Sequence, residues 1–189
     1  MRGSGDQYAS FWVGIDGYSS ETVEQTGTDS DCSGRTPQYY AWYEFYPNPS
    51  IEISSVSVKP GDRISAKVVY SGSEFTVTIT DVTTGKSFTK SGTVRGASRS
   101  SAEWIAEAPC CTARGGILPL ADFGTVLFGD DSTGVAGTNY ATDSATTGPI
   151  GVFPTIEEIT MATSGGAKES VPSALSSDGT SFSATWASQ

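Results

Sequence analysis

The sequence predicts an all-β chain folded as one antiparallel two-sheet β-sandwich, concanavalin-like or jelly-roll-like in kind, and three observations predict it. Segment after segment alternates apolar and polar residues at a period of two, and strand residues at i and i+2 share a face. No apolar stripe of helical spacing runs longer than two turns. Thr, Ser and Val are abundant, and clusters of Gly, Pro, Asp and Ser punctuate the alternating runs. With 189 residues a single domain can enclose a sizeable core, since a chain of about 150 residues already buries roughly two-thirds of its unfolded surface.

Residues 1–7, opening Met1-Arg2-Gly3-Ser4-Gly5, have the composition of a disordered or vector-derived leader, so the domain is expected to span 8–189. Phe11 to Gly17 alternates as a half-buried strand that ends in a turn. Thr22 to Asp29 reads as the next strand, and the Asp-, Ser- and Gly-rich stretch from Asp29 to Pro37 as a loop. Ala41 to Tyr46 follows as a strand closed by Pro47 and Pro49. Two hairpins are then expected. Ile51–Val58 turns at Lys59-Pro60-Gly61-Asp62 into Ile64–Tyr70, and Phe75–Thr80 turns at Thr83-Thr84-Gly85-Lys86 into Ser87–Thr89. Ser101–Glu107 is a strand, Ala108–Gly116 a loop able to lie over a cleft, and Ile117–Leu120 and Gly124–Phe128 are short apolar runs. Asp130–Pro149 reads as a long surface excursion, with Ile156–Met161 and Ser181–Trp186 as closing strands.

Composition narrows the chemistry. Eleven Lys and Arg against 21 Asp and Glu leave a net charge of −10, which disfavours nucleic acid and anionic membranes as partners, both being bound through cationic side chains. Such an excess of carboxylates suits an acidic medium, where partial protonation relieves their repulsion. Histidine is absent, which excludes Ser-His-Asp and Cys-His nucleophiles and any His-containing zinc site. The three cysteines, Cys32, Cys110 and Cys111, lack CxxC spacing, and a bridge from Cys32 to one of the other two stays open. Asp29-Ser30-Asp31 opens like a calcium loop, but Tyr40 stands where the bidentate Glu belongs. Gly85-Lys86-Ser87 resembles the end of a phosphate loop, but Thr80 occupies the first glycine position.

Sorted by parity, the strands place Phe11, Val13, Ile15, Tyr43, Phe45, Trp104 and Ala106 on an apolar side. Trp12, Asp16, Gln25, Asp29, Trp42, Glu44, Tyr46 and Glu103 fall on the other. Aromatic rings mixed with carboxylates on the outer parity of several strands point to a binding groove rather than an ordinary solvated face.

Those residues resemble a known family. Trp12-Val13-Gly14-Ile15-Asp16-Gly17, Gln25-Thr26-Gly27 with Asp29, Ala41-Trp42-Tyr43-Glu44 with Tyr46-Pro47, and Ala102-Glu103-Trp104-Ile105 with Glu107 look, in this order, like the glutamic peptidases or eqolisins, and more like their bacterial members than their fungal ones. The resemblance implies a secreted, pepstatin-insensitive acid endopeptidase on a two-sheet sandwich. It places Gln25 and Glu103 at the catalytic positions, and Trp12, Asp16, Asp29 and Glu44 along the cleft. It also implies a polypeptide substrate and no cofactor or metal. Members carry a further N-terminal segment, behind a leader and propeptide, that this chain lacks before Tyr8. Tyr46, Trp12 and Trp42 read either as subsite walls or as packing residues. A monomer is expected. Two other functions fit the aromatic, acidic face: a glycosidase pairing Glu103 with Glu44, and a non-catalytic carbohydrate-binding module.

Overall fold

A computed structural model describes residues 5–110, 117–129 and 139–188, and it is β-structure with a single 3₁₀ turn at Ile150–Val152. A five-stranded antiparallel sheet is built from β1 (Ser10–Asp16), β2 (Val23–Ser33), β3 (Thr36–Tyr46), β4 (Ile51–Glu52) and β8 (Ala102–Glu107), in the order β4-β3-β2-β1-β8. A second sheet contains β5 (Ile64–Ser71), β6 (Glu74–Asp81) and β7 (Lys86–Gly92) in sequence order. A third is ordered β12-β13-β14-β9, from β9 (Thr125–Phe128), β12 (Met161–Ala162), β13 (Lys168–Pro172) and β14 (Phe182–Trp186). β10 (Tyr140–Thr142) and β11 (Thr147–Pro149) form a small hairpin.

The apolar parity of the five-stranded sheet meets the other two. Ala41 and Phe45 of β3 pack with Ile53, Val56 and the inward residues Phe75, Val77 and Ile79 of β6, and Tyr43 and Ile15 join at the margin. A Cβ on Gly92 would stand 2.8 Å from the Phe45 ring, so the glycine is what lets β7 close over it. Near the other edge, Ala9, Ala108, Leu120 and Ala121 form a core against which Phe11, Phe123, Met161 and Trp186 pack.

Several expectations need correction. Asp29–Pro37 is not a loop: β2 continues to Ser33 and β3 begins at Thr36, with a tight turn between them. Asp is a poor strand former, but here the side chains of Asp29 and Asp31, on the cleft face, meet hydrogen-bond donors from Tyr40 and Trp42, which outweighs propensity. Ile51–Val58 does not pair with Ile64–Tyr70. β4 pairs with β3, β5 pairs with β6, and Ile53 and Val56 plug the core where the chain crosses between sheets. The hairpin of β6 and β7 forms as expected. Of the closing strand read at Ile156–Met161, only Met161–Ala162 is extended in a sheet, with Ile156 and Ile159 exposed. β13 had no clear alternation to reveal it.

Order begins before Tyr8. Gln7 bridges Cys32 through paired backbone hydrogen bonds, and Asp6 accepts one from Gly34 N–H. Residues 1–4 lie outside the described residues, as do 111–116 of the loop expected over the cleft and 130–138 of the long excursion. Cys32 is a free, buried thiol, so the bridge left open for it is not formed, while Cys110 is disulfide-bonded.

Candidate active site

β1 lies between β2 and β8, and its Gly14 pairs with Gln25 on one side and Glu103 on the other. Direct antiparallel partners project from the same face, so Gln25 and Glu103 share one face of one sheet although 78 positions of sequence separate them. Their strands, two apart, stand about 10 Å from each other. Gly14 fills none of the space between, and the Trp12 ring lies over it: a Cβ there would come within 2.9 Å of Trp12 Cζ3 and 3.3 Å of Gln25 Cβ. β3 extends the same row with Glu44 opposite Gln25.

Neighbouring rows complete the floor. Gly27 pairs with both Trp12 and Trp42. Any side chain on it would collide, since a Cβ would sit 2.1 Å from the Phe11 carbonyl oxygen and 2.6 Å from Trp12 Cβ. Each indole is tethered to a carboxylate: Trp12 Nε1 donates to Glu107 Oε1 at 2.9 Å and Trp42 Nε1 to Asp29 Oδ1 at 2.8 Å. Above this floor opens a cleft of about 880 Å³ whose lining includes Trp12, Gln25, Asp29, Trp42, Glu44 and Tyr46, a volume in the range of small-molecule and peptide sites. The polar parity is therefore not a solvated face. Trp12 is 7% exposed, Trp42 6% and Gln25 8%, while Tyr46 stands at the rim with 48%.

Gln25 is held by its amide nitrogen, which donates to Glu44 Oε2 at 2.6 Å. Its carbonyl oxygen is buried with no hydrogen-bond partner. Glu103 is held through one oxygen, Oε1, which accepts from Tyr18 N–H at 2.7 Å and from Ser101 Oγ at 2.8 Å. Oε2 lies against Gly17, where an added Cβ would approach it to 3.1 Å; Gly17 lines the cleft, whereas Glu103 itself is not among the lining residues and stands just behind that wall. With φ of +110° and this close approach, Gly17 is required twice over. Burial raises the Glu103 pKa and the charge of Asp16 adds to the rise, while Ser101 and the Tyr18 N–H oppose it. Burial also raises Glu44, against the Gln25 hydrogen bond, and raises Glu107, against its bond from Trp12.

Asp16, read from sequence as part of the cleft, is fully buried and is not among the residues that line it. Its oxygens accept from the backbone N–H groups of Arg99 and Ser100, both at 2.8 Å, and from Ser100 Oγ at 3.1 Å. Burial would raise its pKa, but these donors outweigh that and hold it below the ordinary carboxylate value. Asp16 thus clamps the turn that delivers Ser101 and Glu103 to the sheet. Among residues not singled out from sequence, Glu107 shares the parity of Glu103 and could have been found that way. Asp31 was hidden by the loop reading of Asp29–Pro37, and its partner Tyr40 falls just after that segment. No group of three or more potential metal ligands occurs among the described residues.

Comparison with known proteins identifies relatives of the chain. The chain is 36% identical over 150 residues to aspergillopepsin-2 of Aspergillus niger, covering 77% of this chain and 52% of that protein. It is 34% identical over 144 residues to scytalidopepsin B of Scytalidium lignicola, covering 71% and 54%. It therefore spans about half the length of the curated relatives it matches. Among solved structures, aspergilloglutamic peptidase from Aspergillus niger superposes with a TM-score of 0.78 at 30% identity, over 96% of this chain and 99% of that one. The fold is also that of scytalido-glutamic peptidase bound to a transition state analog inhibitor, with a TM-score of 0.74 at 24% identity, over 98% and 86%. The Peptidase A4 model matches residues 1–169, and with the relatives above it establishes that the chain belongs to the Peptidase A4 family.

Proposed function

We propose that this protein is an acid-acting glutamic endopeptidase in which Glu103 and Gln25 hydrolyse a peptide bond laid over the floor that Trp12 forms between them. The observation that carries the reading is the row Glu44, Gln25, Gly14, Glu103 on one face of one sheet, with a tethered amide and a half-buried carboxyl flanking a residue that has no side chain. Ionised Glu103 takes a proton from water, whose oxygen adds to the scissile carbonyl. Glu103 then returns that proton to the departing nitrogen as the C–N bond breaks. A raised pKa keeps both forms accessible in mildly acidic solution, which this two-way role needs.

Gln25 stabilises the intermediate. An amide has two N–H donors, and Glu44 engages one. The other is free for the negative oxygen. Trp12, Glu44, Asp29 and Tyr46 line the cleft that takes the extended substrate. Asp16 acts through Glu103 as a positioning residue. The substrate is an unfolded polypeptide, and the place of action is an acidic extracellular medium.

The test is incubation with an unfolded protein at acidic pH in the presence of pepstatin, with mapping of the cuts. Glu103→Gln should lose about 10²–10⁴-fold in kcat, the usual weight of a general acid-base group. Gln25→Ala should lose about 10²–10³-fold, the usual weight of one oxyanion donor. Retention of most activity in Gln25→Ala would overturn the reading and favour a two-carboxylate glycosidase, and binding of oligosaccharide without any cleavage would favour a carbohydrate-binding module.

A further inference from the structure

The far end of the cleft floor holds a group of side chains that the hydrolytic steps do not use. Asp29 and Asp31, both on β2, flank the hydroxyl of Tyr40 from β3: Tyr40 Oη lies 2.8 Å from Asp29 Oδ2 and 2.9 Å from Asp31 Oδ2. Both carboxyls are buried, at 8% and 6% exposure. A phenol has one proton to donate. It cannot donate to two carboxylates, so one of the two short contacts must run the other way, from a protonated carboxyl to the phenol oxygen.

The surroundings decide which carboxyl carries the proton. Asp29 already accepts from Trp42 Nε1 and is further stabilised by the Ser10 hydroxyl and by Tyr40. Asp31 has, besides Tyr40, only a long 3.4 Å contact from the Ala9 N–H. The titratable groups facing the pair are Tyr40 on β3 and, through Asp29, Glu107 on β8, and β1 adds only the Ser10 hydroxyl. No lysine or arginine is among the groups acting on either carboxyl, so a proton is the counter-charge.

We infer that Asp31 is a protonated positioning residue: its carboxyl donates to Tyr40, Tyr40 donates to Asp29, and Asp29 thereby holds the Trp42 indole in the floor of the cleft. Losing that proton leaves two carboxylates competing for one phenol hydrogen beside Glu107. The Trp42 tether weakens, and substrate affinity falls while the Glu103 chemistry persists. Burial and then the charge of Asp29 push Asp31 up to about 6. The kinetic part of the inference rests on the peptidase reading, and the structural part does not.

The experiment combines two readouts on the whole protein, for the parent, Asp31→Asn and Tyr40→Phe. The first is independent of activity: indole fluorescence and the infrared C=O band of protonated carboxyls, followed from about pH 4 to about pH 8. The parent should show a step near pH 6. Asp31→Asn, which keeps a donor to Tyr40 but cannot ionise, should lose that step and one protonated-carboxyl band. Tyr40→Phe, which removes the phenol oxygen that accepts the Asp31 proton and links the two carboxyls, should move the step. The second readout is the pH dependence of KM and kcat. The parent KM should rise by up to about tenfold across the step, the equivalent of one hydrogen bond, while Asp31→Asn has a flat KM and keeps the kcat limb set by Glu103. A step that stays in place in both variants overturns the inference, as does a C=O band that Asp31→Asn leaves intact. If no peptidase activity is found, the spectroscopic titration alone decides the proton's place.

Discussion

Replacing Glu24 tests the strongest pH dependence built into the core. Glu24 lies on the apolar parity of β2, fully buried, paired in register with Ile15 and Phe45, and neither carboxyl oxygen has a hydrogen-bond partner. Burial, and then the charge of Asp16, raise its pKa from an ordinary 4.5 to about 7, with the nearby Thr22 hydroxyl giving partial relief. The folded state therefore prefers the neutral acid. Its contribution to stability is complete below pH 4.5, is lost as pH climbs to about 7, and changes no further above that. At 1.36 kcal/mol per pKa unit the loss comes to about 3 kcal/mol. Urea unfolding of the parent and of Glu24→Gln at a series of pH values measures it. The amide brings two buried N–H donors of its own, worth a penalty of about 1–3 kcal/mol at any pH, so the informative quantity is the slope. Between about pH 4 and about pH 8 the variant should lose about 3 kcal/mol less stability than the parent. Glu24→Met, which removes the polar group at similar volume, should show the same flattened slope from a higher starting stability. Parallel curves for parent and both variants would refute a neutral Glu24.

Two further predictions concern the scaffold, besides the activity losses of Gln25→Ala and Glu103→Gln and the titration of Asp31→Asn. Gly27→Ala forces a methyl to within 2.1 Å of the Phe11 carbonyl oxygen, so β1 and β2 must part. The expected cost exceeds about 3 kcal/mol, read as a fall in melting temperature, and a fall of only a degree or two would mean that the strands are not so closely apposed. Asp16→Asn removes a carboxylate that binds two backbone N–H groups across the turn before β8 and should destabilise by about 2 kcal/mol at neutral pH. Because the Asp16 pKa is lowered from 3.8, its contribution is present above that value and disappears as pH falls through the lower, folded one. The stability difference should therefore close in strong acid, and a difference that stays constant down to about pH 1 would rule out the clamp.

Alternation was a reliable guide where one strand face meets apolar neighbours. β1, β3, β6 and β14 could be read directly, because their partners reward one parity and not the other. It failed at the end of the β2–β3 hairpin, where Asp29, Ser30, Asp31 and Ser33 carry the composition of a loop. Their strand conformation depends on Tyr40 and Trp42, which complete hydrogen bonds only after the hairpin has closed. The pairing of β4 with β3 rather than β5 was similarly invisible, since a period of two says which face a residue shares but not which strand lies beside it.

The same division runs through the site. The absence of histidine and the carboxylate excess narrow the chemistry, and the four ordered motifs, through the family they resemble, single out Gln25 and Glu103. Parity alone put Trp12, Asp29, Glu44 and Tyr46 on the face that the cleft opens from. Only the tertiary structure separated Asp16, which reaches back to Arg99 and Ser100, from the side chains that line the cleft. Only there does Gly14, covered by the Trp12 ring, come to lie between an amide and a carboxyl on one face of the sheet. The physical reason is that composition and periodicity are properties of single segments, whereas hydrogen-bond partners and the burial that shifts a carboxyl's pKa are created by strands from distant parts of the chain coming together.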